Sequence, residues 1–202
     1  MAIEKETEEK IFAAAQEVFQ KKGFDGARMQ EIADEAEINK SMLHYYYRSK
    51  DKLFMAVFQV GIKKILPKVL GVLGSDKNLE EKVVQIVDFY YYIFSVNPHL
   101  PAFVIHEMNM HPERFRDFIL STEIQIPQEF KDQVEDEVAA GRMVQIKPEQ
   151  FLINIVSMCM MPVIAKKLVQ VIFSFDESDY KEFLKERRTL IPELIMNGVK
   201  PT

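Results

Sequence analysis

The chain has 202 residues, 48 % of them hydrophobic and 28 % charged, with a formal net charge of −5; this is the profile of a globular protein of one or two domains that needs no staples for its core. A single cysteine excludes an internal disulfide framework and fits a reducing cytoplasm. The opening MAIEKETEEK is acidic and lacks the apolar stretch of a secretory or transit signal, and the longest apolar run, residues 151–165, is shorter than the ~18 residues of a membrane span and is interrupted by Asn154, Ser157 and Pro162. A buried helix, and no membrane partner, is expected there.

In chain order, nearly every segment between proline or glycine punctuation shows apolar residues three or four apart, and no run alternates as a strand would, which predicts an all-α protein of about nine helices. The first helix is expected from about Thr7, with Glu8 and Glu9 near its positive end, to a stop at Gly23. A second, about Met29 to Ala36, places Met29, Ile32, Ala33 and Ala36 on one face, and Asn39 is placed to cap a third from about Lys40 to Tyr46. Ser49 and Asp51 open a fourth, which Pro67 should kink or end, with Gly71, Gly74 and Ser75 as the following loop. A fifth runs from Leu79 to Val96 and a sixth from about Ala102 to Met110; Pro112 and Pro127 punctuate a seventh ending near Gly141; an eighth spans about Pro148 to Phe173 and a ninth about Ser178 to Met196. The domain change is expected at the start of the fourth helix, dividing residues 1–50 from 51–202.

The negative net charge taken alone speaks against a polyanionic partner. It hides a local reversal: between Ile38 and Lys68 stand Lys40, Arg48, Lys50, Lys52, Lys63, Lys64 and Lys68 against the single acid Asp51. The same window opens with NKSMLHYYYRSKDKLF, residues 39–54. Three short helices whose last is brief, aromatic and polar form the layout of a helix-turn-helix, whose final helix enters the major groove of DNA. Leu43 and Tyr47, four residues apart, anchor that helix towards Phe19 and Ile32 and leave Lys40, Ser41, His44 and Tyr45 facing outward. Tyrosine hydroxyls, a histidine and lysines are groups that bond phosphate oxygens.

At Ile11, Ala14, Ala15, Phe19, Gly23 and Phe24, then Ile32, Ala33, Ala36 and Ile38, then Leu43, Tyr46, Lys50 and Leu53, the chain resembles the TetR family of bacterial regulators in register across three helices, over about residues 7–58. The resemblance implies a ligand-responsive transcription regulator, most often a repressor, that binds double-stranded DNA at a palindromic, inverted-repeat operator as a homodimer and is released by a small, largely apolar effector. It implies DNA contacts from Arg28, Lys40, Ser41, Met42, His44, Tyr45, Tyr46 and Lys50, with Tyr46 and Lys50 on phosphate. The chain departs from the family pattern where Glu37 replaces the usual turn glycine, where Ala27 and Arg28 replace a hydroxyl pair, and at Met42, His44 and Tyr47. Met42 could make only apolar base contact, for example with a thymine methyl.

The resemblance also implies a small-molecule pocket among helices four to eight, for which Phe89, Tyr92, Phe103, His106, Met110 and Met158 are candidate linings. An aromatic and methionine run at helical spacing is equally the pattern of plain core. The eighth helix is apolar nearly all round, so Leu152, Ile155, Val156 and Cys159 form a stripe for a dimer interface, where the family pairs its eighth and ninth helices. His99, His106 and His111 are seven and five residues apart, which sets no two rings a single helical turn apart as a metal pair would need; no metal and no cofactor are expected. Cys159 lies in an apolar setting that raises a thiol's pKa. No nucleophile, base and orienter share a catalytic spacing and no phosphate-binding glycine loop occurs, so an enzyme is not expected, although a site assembled from distant residues is the rival reading. A helix-turn-helix protein answering to a protein partner without a ligand is the other. Pro67 is the expected hinge through which an effector would bias the fourth helix.

Overall fold

A computed structural model describes residues 2–98, 100–121 and 124–201. The described residues form helices and no strands: α1 (Ala2–Gly26), α2 (Met29–Glu35), α3 (Lys40–Tyr46), α4 (Lys50–Leu73), α5 (Leu79–Val96), α6 (Leu100–Met110), α7 (Pro112–Ser121), α8 (Gln128–Ala139), α9 (Pro148–Ile164), α10 (Lys166–Phe173) and α11 (Glu177–Gly198). The expected all-α class holds, with eleven helices in place of about nine.

The two extra helices come from breaks that proline arithmetic misplaced. The expected seventh helix is two, α7 and α8, and the expected eighth bends by 72° at Ala165 into α9 and α10. At Pro67, by contrast, the helix does not end: α4 continues to Leu73 and takes in Gly71, so that only Gly74 and Ser75 begin the loop. A proline deletes one ladder bond, and whether a helix stops there depends on what else can satisfy the stranded carbonyl.

The contacts divide the chain into two compact units, one from the N-terminus to Ile65 with Ala102 to α7, the other from Leu66 to Pro101 with the chain from Ile124 onward. In the first unit Ile11, Ala15, Phe19, Ile32, Ala33, Leu43 and Leu53 are buried together. Phe54 stands edge-on to Phe19 at 5.1 Å and to Phe24 at 5.0 Å, and Phe58 extends the cluster to Phe103, Phe115 and Phe118. Aromatic pairs in these geometries contribute beyond their buried area.

In the second unit α5 packs on α9 and α11. Its core holds Val83, Ile86, Val87, Phe94, Phe130, Phe151, Ile155 and Ile191. Two N-caps set its helices: Asn78 accepts from the Glu81 amide and Glu81 from the Asn78 amide, and Asp176 accepts from Ser178 and Asp179. Lys82 is buried, donates to Gln133 Oε1 at 2.6 Å, and has its pKa lowered by that burial.

The α9 break shows how a proline is accommodated. Pro162 has no amide to give the Met158 carbonyl, and Arg187 Nη2 of α11 supplies the missing donor at 3.0 Å. The Pro162 carbonyl, stranded at the bend, accepts from Tyr180 Oη at 3.1 Å. Among the described residues no single helix is long and apolar enough to cross a membrane; α9 and α10 reach that test only together, across their bend.

Candidate nucleic-acid interface

α3 is built as the sequence predicts. The Asn39 side chain accepts from the Met42 amide at 2.8 Å, satisfying one orphan donor of the first turn. Leu43 is fully buried, and Lys40, Ser41, Met42, His44 and Tyr45 are exposed, Tyr45 at 77 %. Tyr46 is half-buried, with the Tyr45 ring edge-on to it at 5.5 Å. Tyr47 leaves the helix in extended backbone and donates its hydroxyl to Glu8 Oε1 at 3.3 Å; its pKa is raised by burial and then by that carboxylate.

The turn between α2 and α3 closes by two backbone bonds, Glu37 N–H to the Asp34 carbonyl at 3.1 Å and Ile38 N–H to the Ala33 carbonyl at 3.0 Å. These are the paired bonds of a Schellman motif, and they require left-handed backbone at the residue after the cap. Glu37 supplies it, at φ 55°. A residue with a Cβ pays a conformational penalty of about 1–2 kcal/mol at that position. Arg28 stands exposed at the N-cap of α2 without a capping side chain; its amide donates to Glu31 Oε2 at 3.4 Å.

Lys50 is half-buried and already engaged: its ammonium donates to the carbonyls of Phe24 at 2.9 Å and Ala27 at 3.2 Å. The backbone here leaves the helical path because Gly23 sits at φ 68°, ψ −179°, a conformation essentially confined to glycine. The freed Phe24 amide donates to Glu107 Oε1 of α6 at 2.8 Å. Lys50 Nζ and the Arg114 guanidinium each stand 4.4 Å from the centre of the Phe24 ring. Asp51, the one acid of the basic window, is bound by Arg114 Nη2 at 2.6 Å. Its charge is thereby offset, while Lys40 and Arg48 are exposed with no ion pair among the described residues.

Glu107, Arg114 and Arg48 belong to this arrangement and were not among the expected site residues. Glu107 is only 4 % exposed, and the sequence offered a trace of it as the one acid in the apolar run AFVIHEM. Arg48 was visible in the charge count. Nothing in the sequence marks Arg114.

Of the expected pocket linings, Phe103, His106 and Met110 belong to the first unit and Phe89, Tyr92 and Met158 to the second. Phe103 is buried in the aromatic cluster of the first unit, with Phe54 at 5.6 Å. His106 lies against Gly23, and Met110 is exposed. In the second unit Phe89 and Met158 are half-buried, and of the six only Tyr92 lines the cleft described below. Asp88 is paired with Arg188 at 2.5 Å. In the expected dimer stripe, Ile155 and Cys159 turn into the unit's own core and Leu152 and Val156 are half-buried, so the outward apolar side chains of α9 are instead Ile153, Met161 and Ile164. His99 lies outside the described residues; among those described, no three metal-ligating side chains gather. His111 Nε2 is 3.9 Å from Glu107 Oε2.

Residues 11–57 match the model of bacterial regulatory proteins of the tetR family, and residues 80–195 match a tetracyclin repressor-like C-terminal domain. The chain belongs to the TetR family. Its TetR-type reading head is thus the three-helix region just described, in a family of DNA-binding transcription regulators. The chain is 35 % identical over 88 residues to the HTH-type transcriptional repressor NicS of Pseudomonas putida, a match that spans 42 % of each. It is 21 % identical over 198 residues, 95 % of each chain, to the "Probable HTH-type transcriptional regulator YttP" of Bacillus subtilis. A crystal structure of a TetR transcriptional regulator from Chloroflexus aurantiacus covers 100 % of both chains with a TM-score of 0.69 at 17 % identity, a likeness of fold.

Proposed function

We propose that this TetR-family chain is a ligand-responsive repressor that binds an inverted-repeat operator as a homodimer and is released by a small, largely apolar effector. The observation that carries the reading is the presentation of α3: one buried leucine holds it down while Lys40, Ser41, Met42, His44 and Tyr45 face solvent, beside exposed Arg28 and Arg48. Residues 1–50 serve as the DNA-binding domain and 51–202 as the effector and dimerisation domain. The exposed apolar side chains Ile153, Met161, Ile164, Leu190 and Leu194 of α9 and α11 supply the dimer face. Pro67 of α4 is the hinge through which effector binding alters the reading heads, since a ligand shifts such an equilibrium only by binding one position more tightly.

The test is selection from random duplex DNA at two salt concentrations, followed by sequencing of what is retained. An enriched inverted repeat with a steep salt slope is expected. Retention without sequence preference and with a shallow slope would remove the regulator reading and leave an enzyme or a protein-binding module. With the operator in hand, Pro67→Ala is expected to reduce effector-driven release; unchanged release removes the hinge.

A further inference from the structure

The second unit contains a cleft of about 680 Å³ bounded by α5, the α9–α10 bend and α11. Its floor is apolar and aromatic, formed by Tyr91, Phe94, Val163, Tyr180 and Leu184. Phe94 and Tyr180 are almost fully buried, and Tyr91 is half-buried.

The rim is of different chemistry. It carries Lys166, Lys181, Lys185 and Arg188 against one acid, Glu177. Most of that charge is already matched: Lys166 pairs with Glu177 at 2.7 Å, Lys185 with Glu182 at 3.1 Å and Arg188 with Asp88 at 2.5 Å. Lys181 alone of the rim cations has no ion pair among the described residues. The cleft therefore offers an apolar floor and one uncompensated positive charge at its edge.

We infer that the α5–α10–α11 cleft is the effector site of this chain and takes an amphipathic monocarboxylate, its hydrocarbon body on the Phe94, Val163 and Leu184 floor and its carboxylate at Lys181. A volume of this size is that of a site for a small organic ligand. Charge decides the class: an amine of the same shape meets Lys181 with like charge, and an uncharged hydrocarbon gains nothing from the rim. The site is also placed to act. Tyr180, part of its floor, holds the Pro162 carbonyl at the bend, so a ligand packed on that ring bears on the α9–α10 geometry. The assignment rests on the effector-responsive reading above; the cleft takes its α5 wall from residues 91–98, within the aromatic run of the sequence, and its other walls from α9, α10 and α11.

The experiment is calorimetric titration of the full chain with decanoate and with decylamine, equal in length and opposite in charge, repeated on Lys181→Glu. Saturable binding of one decanoate per chain is expected, about tenfold or more tighter than decylamine, with Lys181→Glu weakening decanoate about tenfold or more and leaving the circular-dichroism melt unchanged. Absence of saturable binding, equal binding of both amphiphiles, or indifference to Lys181→Glu overturns the assignment, the last two indicating coating of the exposed α9 and α10 side chains. DNA selection on the same preparation separates the two readings. Operator binding without decanoate binding removes this inference alone, whereas decanoate binding that depends on Lys181 in a protein with no DNA preference removes the regulator reading and leaves the cleft.

Discussion

The carboxylate of Glu107 in α6 accepts the backbone amide of Phe24 at the end of the reading head's first helix, at 2.8 Å, from a position where only 4 % of Glu107 is exposed. The carbonyl of Phe24 accepts from the Lys50 ammonium. One peptide segment is thus held by an anion on one side and a cation on the other, and both holders lie on helices outside the helix-turn-helix. Charge-assisted bonds of this kind are roughly twice as strong as neutral ones.

Glu107→Ala is accordingly expected to destabilise the protein by about 1–3 kcal/mol, since it strands a buried amide. Urea unfolding followed by circular dichroism measures it. Operator affinity should fall without any change in preferred bases, because the substitution loosens the end of α1 and leaves the α3 side chains in place.

Lys50→Ala is expected to lower stability by about 1–3 kcal/mol through the two carbonyls it leaves. The ammonium retains a third N–H, so the variant should also bind all duplex sequences more weakly and lower the salt slope by about one unit. A slope equal to that of the parent chain would assign Lys50 to holding the fold only.

Glu37→Gly should stabilise. The position demands φ near 55°, which costs a Cβ-bearing residue about 1–2 kcal/mol, while glycine recovers this less its larger loss of chain entropy. A net gain of about 1 kcal/mol, read as a higher urea midpoint at unchanged m-value, is the expected result; a lower midpoint would mean that the glutamate makes a contact worth more than the strain.

Burial raises the Tyr90 phenol from an ordinary 10.0 to about 12 and the Cys159 thiol from 9.0 to about 12. For an acid whose folded pKa lies above its unfolded one, the folded state binds more protons in the interval between them, so stability falls as pH rises through it. Each group should cost about 1.4 kcal/mol per pH unit, from about pH 9 for Cys159 and about pH 10 for Tyr90. Unfolding free energies measured from pH 8 to 11 should decline with that curvature, and Cys159 should resist thiol reagents at pH 8 until urea unfolds the chain.

Much of the reading head was legible in the residues. Asn39 as a cap, Leu43 as an anchor and the outward turn of Lys40, Ser41, His44 and Tyr45 all follow from local periodicity and capping chemistry, which act within a few residues. Glu37 was legible as a problem, and the backbone takes the strained form the motif requires. What escaped were relations across long stretches of chain: Glu107 meets Phe24 over 83 positions, and Arg114 meets Asp51 over 63. The helix breaks failed for the same reason. Pro67 does not end its helix and Ala165 does, and the second case turns on side chains of α11 that local pattern cannot place near α9.

Tyr180 and Arg187 are seven residues apart on α11, two turns along one face, and they grip the carbonyls of Pro162 and Met158, four residues apart on α9. Two such pegs forbid α11 from rolling about its own axis or slipping by a turn, since either movement withdraws both donors at once. Leu190 and Leu194, exposed further along the same helix, are therefore set before any second subunit arrives, and association through them would proceed as docking of two finished surfaces, with little reordering to slow the encounter.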